Sequence, residues 1–381
     1  MPLDSLEFRT SLQKLLVALI LILVPLTVFG FYVALQGDTH IRQAAGENFR
    51  SLTLNAAETT SDLIAASVRD VSVVANAPGP IQAVSAANRQ YQNASDDAIS
   101  AKIATIEQDW ETSKADGISG RILTSDLARE LRRMRDLNPT LLKITVADVT
   151  GSTVAATDRP ARYAMHTPDA WRQLVAGGRG AIRISDLRYD DQSRLYYLSI
   201  AYPILQEGTG RFVGAVTATV DVSPLFVRLN RPQIGRTGRL FLVRDDGTVI
   251  EAPGVTPLMN LKSEEYAAIH DALGSLRGRQ TGYIFATLSN SQSYLIGFAD
   301  TGLKDAYPTL PWTVVASQET REVIGPVRNT IVFALMLMIL AFLMLSLLAA
   351  YVVLHTKQRL QDIESPPEEE KEKEKEHIEA A

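Results

Sequence analysis

The chain has 381 residues and a formal net charge of −5, from 38 Lys and Arg against 43 Asp and Glu. It contains no cysteine, which excludes disulfides, cysteine-ligated zinc sites and thiol nucleophiles. The body lacks a clustered basic field, and this argues against binding of nucleic acid.

Two uncharged apolar runs, residues 15–35 and 331–354, lie on either side of the large central part of the chain. At about 1.5 Å rise per residue, each is long enough to cross a hydrocarbon layer of roughly 30 Å. The sequence therefore predicts transmembrane helices there, an N-terminal cytoplasmic segment at 1–14 and a charged cytoplasmic tail at 355–381. The alternative for the first run is a cleaved signal peptide, against which its length and the lack of an A-x-A-like cleavage site argue.

Residues 37–136 have the periodicity of helices. Apolar side chains recur at helical spacing between Leu52 and Val74, and no proline interrupts them. The Pro and Gly cluster at 77–80 predicts the end of a first long helix, and Asn138-Pro139 predicts the end of the whole helical region.

From residue 137 the apolar period changes from 3.6 to 2, which is typical of strands. Residues 137–232 predict a small antiparallel sheet with one helix near 169–176 and turns at 189–192 and 207–210. Residues 233–328 repeat the same order of strand, turn, strand, helix and further strands. The sequence therefore indicates a repeated domain.

Several short phrases follow one another in a distinctive order, at 147–157, 184–191, 202–204, 214–225, 234–238 and 245–247. Their order and spacing resemble those of the double Cache (dCache) extracytoplasmic sensor domains of bacterial transmembrane receptors. The resemblance implies an α+β fold: a long N-terminal helix and two tandem PAS-like antiparallel-sheet (Cache) domains, flanked by two transmembrane helices. It further implies that 137–232 is membrane-distal and that 233–328 is membrane-proximal.

In that family the distal copy usually holds an amino acid, an amine or a carboxylate between its sheet and the overlying helix. By position, the resemblance assigns Tyr189, Asp191, Asp221 and Trp171 to this site. The sequence lacks the Arg-x-Trp element of amino-acid sensors and has Tyr163, Asp169 and Trp171 in its place. The candidate ligand-binding residues are Tyr163, Asp169, Trp171, Tyr189, Asp191, Tyr197 and Asp221.

The stretch 163–202 is the most aromatic in the chain, and acids lie in it or near it. Rings and carboxylates suit a cationic or hydroxyl-bearing ligand through cation–π attraction and charge-assisted hydrogen bonds. Ordinary packing is the alternative, because the two sets of side chains on strand 195–204 face opposite ways. The proximal copy has tyrosines without a comparable concentration of acids, which favours a structural role for it.

No catalytic site, metal site or cofactor is expected. The five histidines are far apart, and no Walker loop, G-x-S-x-G or G-x-G-x-x-G occurs. Together with these absences, the resemblance to double Cache receptors implies a non-enzymatic sensor in the bilayer of a bacterial inner membrane. Lys and Arg are evenly matched across both apolar runs, so charge does not orient the chain; the usual layout of receptors places the central domain outside.

The expected partners are a small-molecule ligand, the lipid bilayer, a second copy in a homodimer and a cytoplasmic signalling protein. That protein would be a kinase, a cyclase or a chemotaxis component, because the tail 355–381 is too short to fold into an output domain. Two alternatives remain. One is a membrane scaffold of the same fold without ligand binding, and the other is a fragment of a histidine kinase, chemoreceptor or diguanylate cyclase.

Overall fold

The computed structural model describes residues 4–112, 117–164, 168–230, 234–252, 260–273 and 280–364. The chain forms two compact units, one made of residues 1–45 and 321–381 and the other of residues 46–320. Both sheets lie in the second unit.

Five α-helices form the first part of the described chain, up to residue 137. Ala77 is extended because the residue before a proline avoids the helical region, and Pro78 then begins the second helix. The Oγ of Ser125 accepts a hydrogen bond from the backbone N of Ala128 at 3.1 Å and so caps the fifth helix. The helices are α1 (Asp4–Ala75), α2 (Pro78–Asn88), α3 (Asp96–Thr112), α4 (Ile118–Thr124) and α5 (Asp126–Leu137).

The first sheet is antiparallel, with strand order β2-β1-β6-β5-β3, and β4 also pairs with β5. Helix α6 (Pro168–Val175) lies between β2 and β3, and helix α7 (Ser223–Leu229) follows β6. The strands are β1 (Leu141–Asp148), β2 (Thr153–Ala156), β3 (Arg183–Ile184), β4 (Arg188–Asp190), β5 (Leu195–Leu205) and β6 (Phe212–Asp221).

The second sheet repeats this topology, with order β8-β7-β11-β10-β9. Helices α8 (Glu264–Leu273) and α9 (Leu303–Ala306) belong to this copy, and α10 (Thr320–Glu364) follows it. The strands are β7 (Arg239–Arg244), β8 (Val249–Glu251), β9 (Thr281–Thr287), β10 (Ser293–Asp300) and β11 (Trp312–Glu319).

The turn after the first strand shows how closely the two copies correspond. In the first copy the backbone N of Gly151 donates to the carbonyl of Asp148 at 3.0 Å, and in the second the N of Gly247 donates to that of Arg244 at 2.9 Å. The glycines have φ values of 86° and 79°, which side chains disfavour. Position 143 of β1 therefore corresponds to position 239 of β7.

The predicted α+β architecture with a long N-terminal helix and two antiparallel sheets is confirmed. Two local predictions differ. The turn expected at 189–192 begins later, because Tyr189 and Asp190 pair with β5 as part of β4. Helix α7 was not expected; it follows strand β6 directly and has Pro224 in its first turn, where proline is tolerated.

The two apolar runs lie in α1 and α10, which have 72 and 45 residues. Within the residues that the structure describes, no helix meets the requirements of length and apolarity for crossing a membrane. Residues 365–381 of the predicted tail lie outside the described residues.

Candidate ligand site

The first sheet has an outer face that is covered at one end by α6. Leu174 of this helix packs with Ala201, Phe212 and Ala215 of the sheet in a buried apolar cluster. Beyond this cluster, toward the start of β5, the outer face becomes polar and less buried. Here we place the candidate site.

Three residues of different chemistry form a row across the strands of this outer face. Tyr197 of β5 lies directly opposite Arg188 of β4 on one side and Asp221 of β6 on the other. Residues paired in this way point to the same face, and strands about 4.8 Å apart place the outer two Cα atoms roughly 10 Å from each other. A guanidinium, an aromatic ring and a carboxylate therefore lie side by side.

The two charged members of this row retain hydrogen-bonding capacity. Asp221 accepts a hydrogen bond from the backbone N of Ser223 through Oδ1 at 2.8 Å, while its Oδ2 has no partner among the described residues. Arg188 is exposed, and within the described part of the chain it makes no hydrogen bond or ion pair. Both groups are thus available to a ligand.

A second row lies next to the first and carries two hydroxyls and an amine. Ser199 of β5 is opposite Thr219 of β6, which in turn is opposite Lys143 of β1. A hydrogen bond from the Ser193 hydroxyl lowers the pKa of Asp190 below its ordinary value, and the charge of Lys143 adds to this effect. Together the two rows form a mixed-charge surface of small and aromatic polar side chains.

A cavity of about 310 Å³ lies elsewhere in this copy, and Arg121, Asp148 and Tyr163 are among its lining residues. Asp148 is only 1% exposed, and burial raises its pKa above the ordinary value. Its Oδ1 accepts hydrogen bonds from the turn residues Thr150 and Ser152, and its Oδ2 accepts one from the Tyr91 hydroxyl at 3.0 Å. This carboxylate is therefore committed to the fold.

The hydroxyl of Tyr91 lies in the same buried environment, and its pKa is raised as well. Burial, with the charge of Asp148 beside it, raises the pKa of the Tyr91 hydroxyl to about 12. The hydroxyl consequently stays protonated and donates to Asp148 at physiological pH. The pair fixes the β1–β2 turn, so the cavity beside it is a weaker candidate than the outer-face row.

A family model described as "Cache domain" matches residues 38–327. The chain belongs to the double Cache family. Cache domains are ligand-binding, extracellular sensor domains of membrane receptors. No curated protein matches the chain.

Solved structures of sensory and ligand-binding domains of bacterial chemoreceptors are similar to the chain. The sensory domain of the Campylobacter jejuni chemoreceptor Tlp3 (CcmL) is 12% identical, with a TM-score of 0.48, and the match covers 75% of this chain and 98% of that one. The ligand-binding domain of the Pseudomonas aeruginosa PAO1 amino acid chemoreceptor PctC, in complex with GABA, is also 12% identical. Its TM-score is 0.42, with 70% of this chain and 96% of that one covered.

Of the residues expected at the Cache ligand site, Tyr197 and Asp221 are brought together on the outer face. Trp171 is a residue of α6, the helix that covers one end of this face, and it packs against the apolar cluster there. Its ring packs edge-on against Phe212 at 5.6 Å between centroids, and its Nε1 donates to the carbonyl of Val149 at 3.0 Å. The geometry therefore gives Trp171 a packing role at the end of the site.

The two other acids lie at exposed positions. Asp169, in the first turn of α6, forms an ion pair with Arg172 at 2.9 Å, and both side chains are largely exposed. Asp191 is exposed in the turn that follows β4. The structure brings neither acid into the row with Tyr197.

The remaining two tyrosines lie away from the row. Tyr189 is opposite Tyr196 and packs against its ring at 4.7 Å between centroids, on the other face of the sheet. Tyr163 packs against Trp110 at 5.7 Å, and burial raises the pKa of its hydroxyl. Tyr163 lines the cavity beside Asp148 instead.

Sequence reasoning missed Arg188, Lys143, Ser199 and Thr219 as members of this surface. Two of them could have been predicted from the alternation of side chains along a strand. Ser199 is two residues from Tyr197 and Thr219 is two from Asp221, so each shares a face with a residue that was predicted. The register that pairs Arg188 with Tyr197 has no such local signal, since it depends on where the turn after β4 begins.

Proposed function

We propose that this double Cache chain is a membrane-anchored receptor that binds a small charged solute at the outer face of its first copy. The row of Arg188, Tyr197 and Asp221 is the observation that supports this proposal. A ligand with both an ammonium and a carboxylate group would satisfy both ends of the row. Among the amine, amino acid and carboxylate classes, the row therefore favours an amino acid.

The chemistry of each contact follows from the side chains. A guanidinium presents paired donors that match a carboxylate, and a carboxylate accepts short hydrogen bonds from an ammonium group. The face of Tyr197 between them would attract the ammonium end by about 0.5–2 kcal/mol. Ser199 and Thr219 would offer hydroxyls to the rest of the ligand.

The proposal also includes the membrane and the signalling route. The apolar runs 15–35 and 331–354 would span a bacterial inner membrane and hold the Cache copies in the periplasm. Two chains would pair along α1, and α10 would pass a ligand-dependent shift to a separate kinase, cyclase or chemotaxis protein. The uncharged length of both runs supports this part of the proposal.

Ligand binding is tested by calorimetric titration of the purified full-length chain with amino acids, amines and carboxylates. We expect an amino acid to bind, and Tyr197→Ala to raise its dissociation constant by about twofold to about thirtyfold. Asp169→Asn, which changes an exposed acid outside the row, is the matched control and should bind as the wild type does. If no solute of any class binds, the scaffold alternative replaces the receptor.

Membrane topology can be tested with single cysteines because the chain has none of its own. Ser291→Cys puts a thiol on the exposed β9–β10 turn of the second copy, and Gln361→Cys puts one near the end of α10. A membrane-impermeant maleimide added to spheroplasts should label the first thiol and spare the second until the cells are lysed. The reverse pattern would refute the proposed orientation.

A further inference from the structure

The second copy contains a cavity at the position that corresponds to the polar surface of the first. Arg239 of β7 corresponds to Lys143 of β1, and Ser317 of β11 lies opposite it as Thr219 lies opposite Lys143. The cavity has a volume of about 280 Å³ and lies between the sheet, the start of α8 and the β9–β10 turn. Its size approaches the lower end of the roughly 300–1,000 Å³ of small-molecule pockets.

A buried carboxylate holds Arg239, which lines this cavity, in place. Glu265 is only 2% exposed. Its Oε1 accepts hydrogen bonds from Arg239 Nε at 3.1 Å, from Arg239 Nη2 and from the Ser317 hydroxyl at 3.1 Å. Its Oε2 accepts one from the Ser263 hydroxyl at 2.9 Å.

This arrangement leaves one edge of the guanidinium open to the cavity. Inside the described chain, Arg239 donates from Nε and Nη2 only, its side chain is about half exposed, and its guanidinium lies over the Phe241 ring at 5.3 Å. Burial of an ion pair costs desolvation energy and is weak as a source of stability. The same pair is effective in orienting an arginine, because the guanidinium cannot rotate away from its buried partner.

The other charged groups of the cavity are already occupied. Lys262 forms an ion pair with Asp246 at 2.8 Å and donates to the Thr248 hydroxyl at 2.8 Å. Glu264 accepts hydrogen bonds from the backbone N and the hydroxyl of Ser289. Among the described lining residues, Arg239 is thus the basic group that remains for a ligand.

The walls of the cavity carry apolar side chains beside the polar ones of Ser263, Ser289 and Asn290. Phe241 and Val249 line it from the sheet, Leu261 lines it from the segment before α8, and Leu288 lines it from the β9–β10 turn. A chamber that combines these apolar side chains with the oriented guanidinium of Arg239 matches a small molecule that has a carboxylate at one end and a short hydrocarbon chain at the other.

We propose that this cavity is a second ligand site, which binds a short-chain aliphatic monocarboxylate through Arg239. The carboxylate accepts hydrogen bonds from the free edge of the guanidinium, and the hydrocarbon chain packs against Leu261 and Leu288. The site is independent of the row on the first copy and takes a ligand of a different class. A single chain would then respond to two kinds of solute.

The test is calorimetric titration of the full-length chain with acetate, propionate and butyrate in a carboxylate-free buffer. Propylamine, which has an ammonium group in place of the carboxylate, is the comparison. We expect propionate or butyrate to bind and propylamine not to bind. The double variant Arg239→Gln, Glu265→Gln keeps an amide hydrogen bond in place of the ion pair, so no buried charge is left unpaired. It should weaken monocarboxylate binding by about tenfold or more.

A second variant leaves the ion pair intact. Leu288→Trp fills part of the cavity at its rim and should also weaken binding, even if the double variant fails to fold. Arg129→Gln, which removes an exposed arginine from α5, should bind monocarboxylates as the wild type does. The proposal is overturned if no monocarboxylate binds to the wild type, or if Leu288→Trp binds with unchanged affinity.

Discussion

The row on the first Cache copy predicts how two charge-removing substitutions should combine. Arg188→Gln costs the fold little, because Arg188 has no partner within the described residues. Asp221→Asn keeps an oxygen that can accept from Ser223 N. Each substitution removes one charge-assisted hydrogen bond to an amino acid, worth about 1.5–3 kcal/mol, so the dissociation constant should rise by about tenfold to about 150-fold.

The combination of the two changes is more informative than either change alone. Because Arg188 and Asp221 lie roughly 10 Å apart at their Cα atoms and contact opposite ends of the ligand, their effects should add to within about 0.5 kcal/mol. Titration calorimetry on the wild type, both single variants and the double variant measures this sum. An amine that lacks the carboxylate provides the control, because it should be insensitive to Arg188→Gln.

Two results would contradict this reasoning. Unchanged amino-acid affinity in either single variant would remove that residue from the site. Equal loss of amine and amino-acid affinity in Arg188→Gln would show that the guanidinium does not contact the carboxylate.

Three further predictions concern stability, each measured by urea unfolding. Gly297→Ala would place a Cβ 2.8 Å from the carbonyl oxygen of Phe49 in α1, and we expect a loss of about 1–3 kcal/mol. Burial raises the pKa of Asp148 in the folded protein above its ordinary value of 3.8. The free energy of unfolding should therefore fall as the pH rises from 3.8 to the higher pKa of the folded state. Asp148→Asn should flatten this dependence. Tyr196→Phe removes the hydrogen bond from the Tyr196 hydroxyl to Glu251, whose pKa is raised by burial. The free energy of unfolding should fall by about 1–3 kcal/mol. The loss should be greater at about pH 8 than at about pH 5, because the hydroxyl stabilises the ionised carboxylate.

Each of these stability predictions has an outcome that would contradict it. A wild-type stability for Gly297→Ala would mean that α1 can withdraw from the second sheet without loss. An undiminished pH slope in Asp148→Asn would assign that slope to other carboxyls. An equal loss at both pH values in Tyr196→Phe would mean that the hydroxyl does not interact with an ionised Glu251.

Strand β5 shows what the sequence could predict. Its alternation assigned Tyr196, Leu198 and Ile200 to one face, and these three side chains are buried. Leu195, Tyr197 and Ser199 on the other face are less buried, as expected for a surface that carries polar groups. Side-chain period in a strand is a local property, so a single segment was enough to predict it.

Features that depend on long-range pairing could not be predicted in the same way. Arg188 was left out because the acids after it suggested an early turn, whereas its place opposite Tyr197 depends on register. Likewise, Glu265 and Ser317 are far apart in sequence and meet Arg239 only when α8 packs on the second sheet. The sequence therefore indicated a second copy poor in acids, although the buried Glu265 organises a cavity there.

The same strand that carries the proposed ligand row is also tied to the second copy. Tyr197 points outward into the row, and Tyr196 beside it points to the opposite face and donates to Glu251 of β8. The ion pair between Arg244 and Asp186, at 2.8 Å, adds another link between the copies. A ligand can bias a two-state element only through different affinity for its two states. Because Tyr196 and Tyr197 are consecutive residues of one strand, a displacement of β5 at the row would reach Glu251 without passing through a loop.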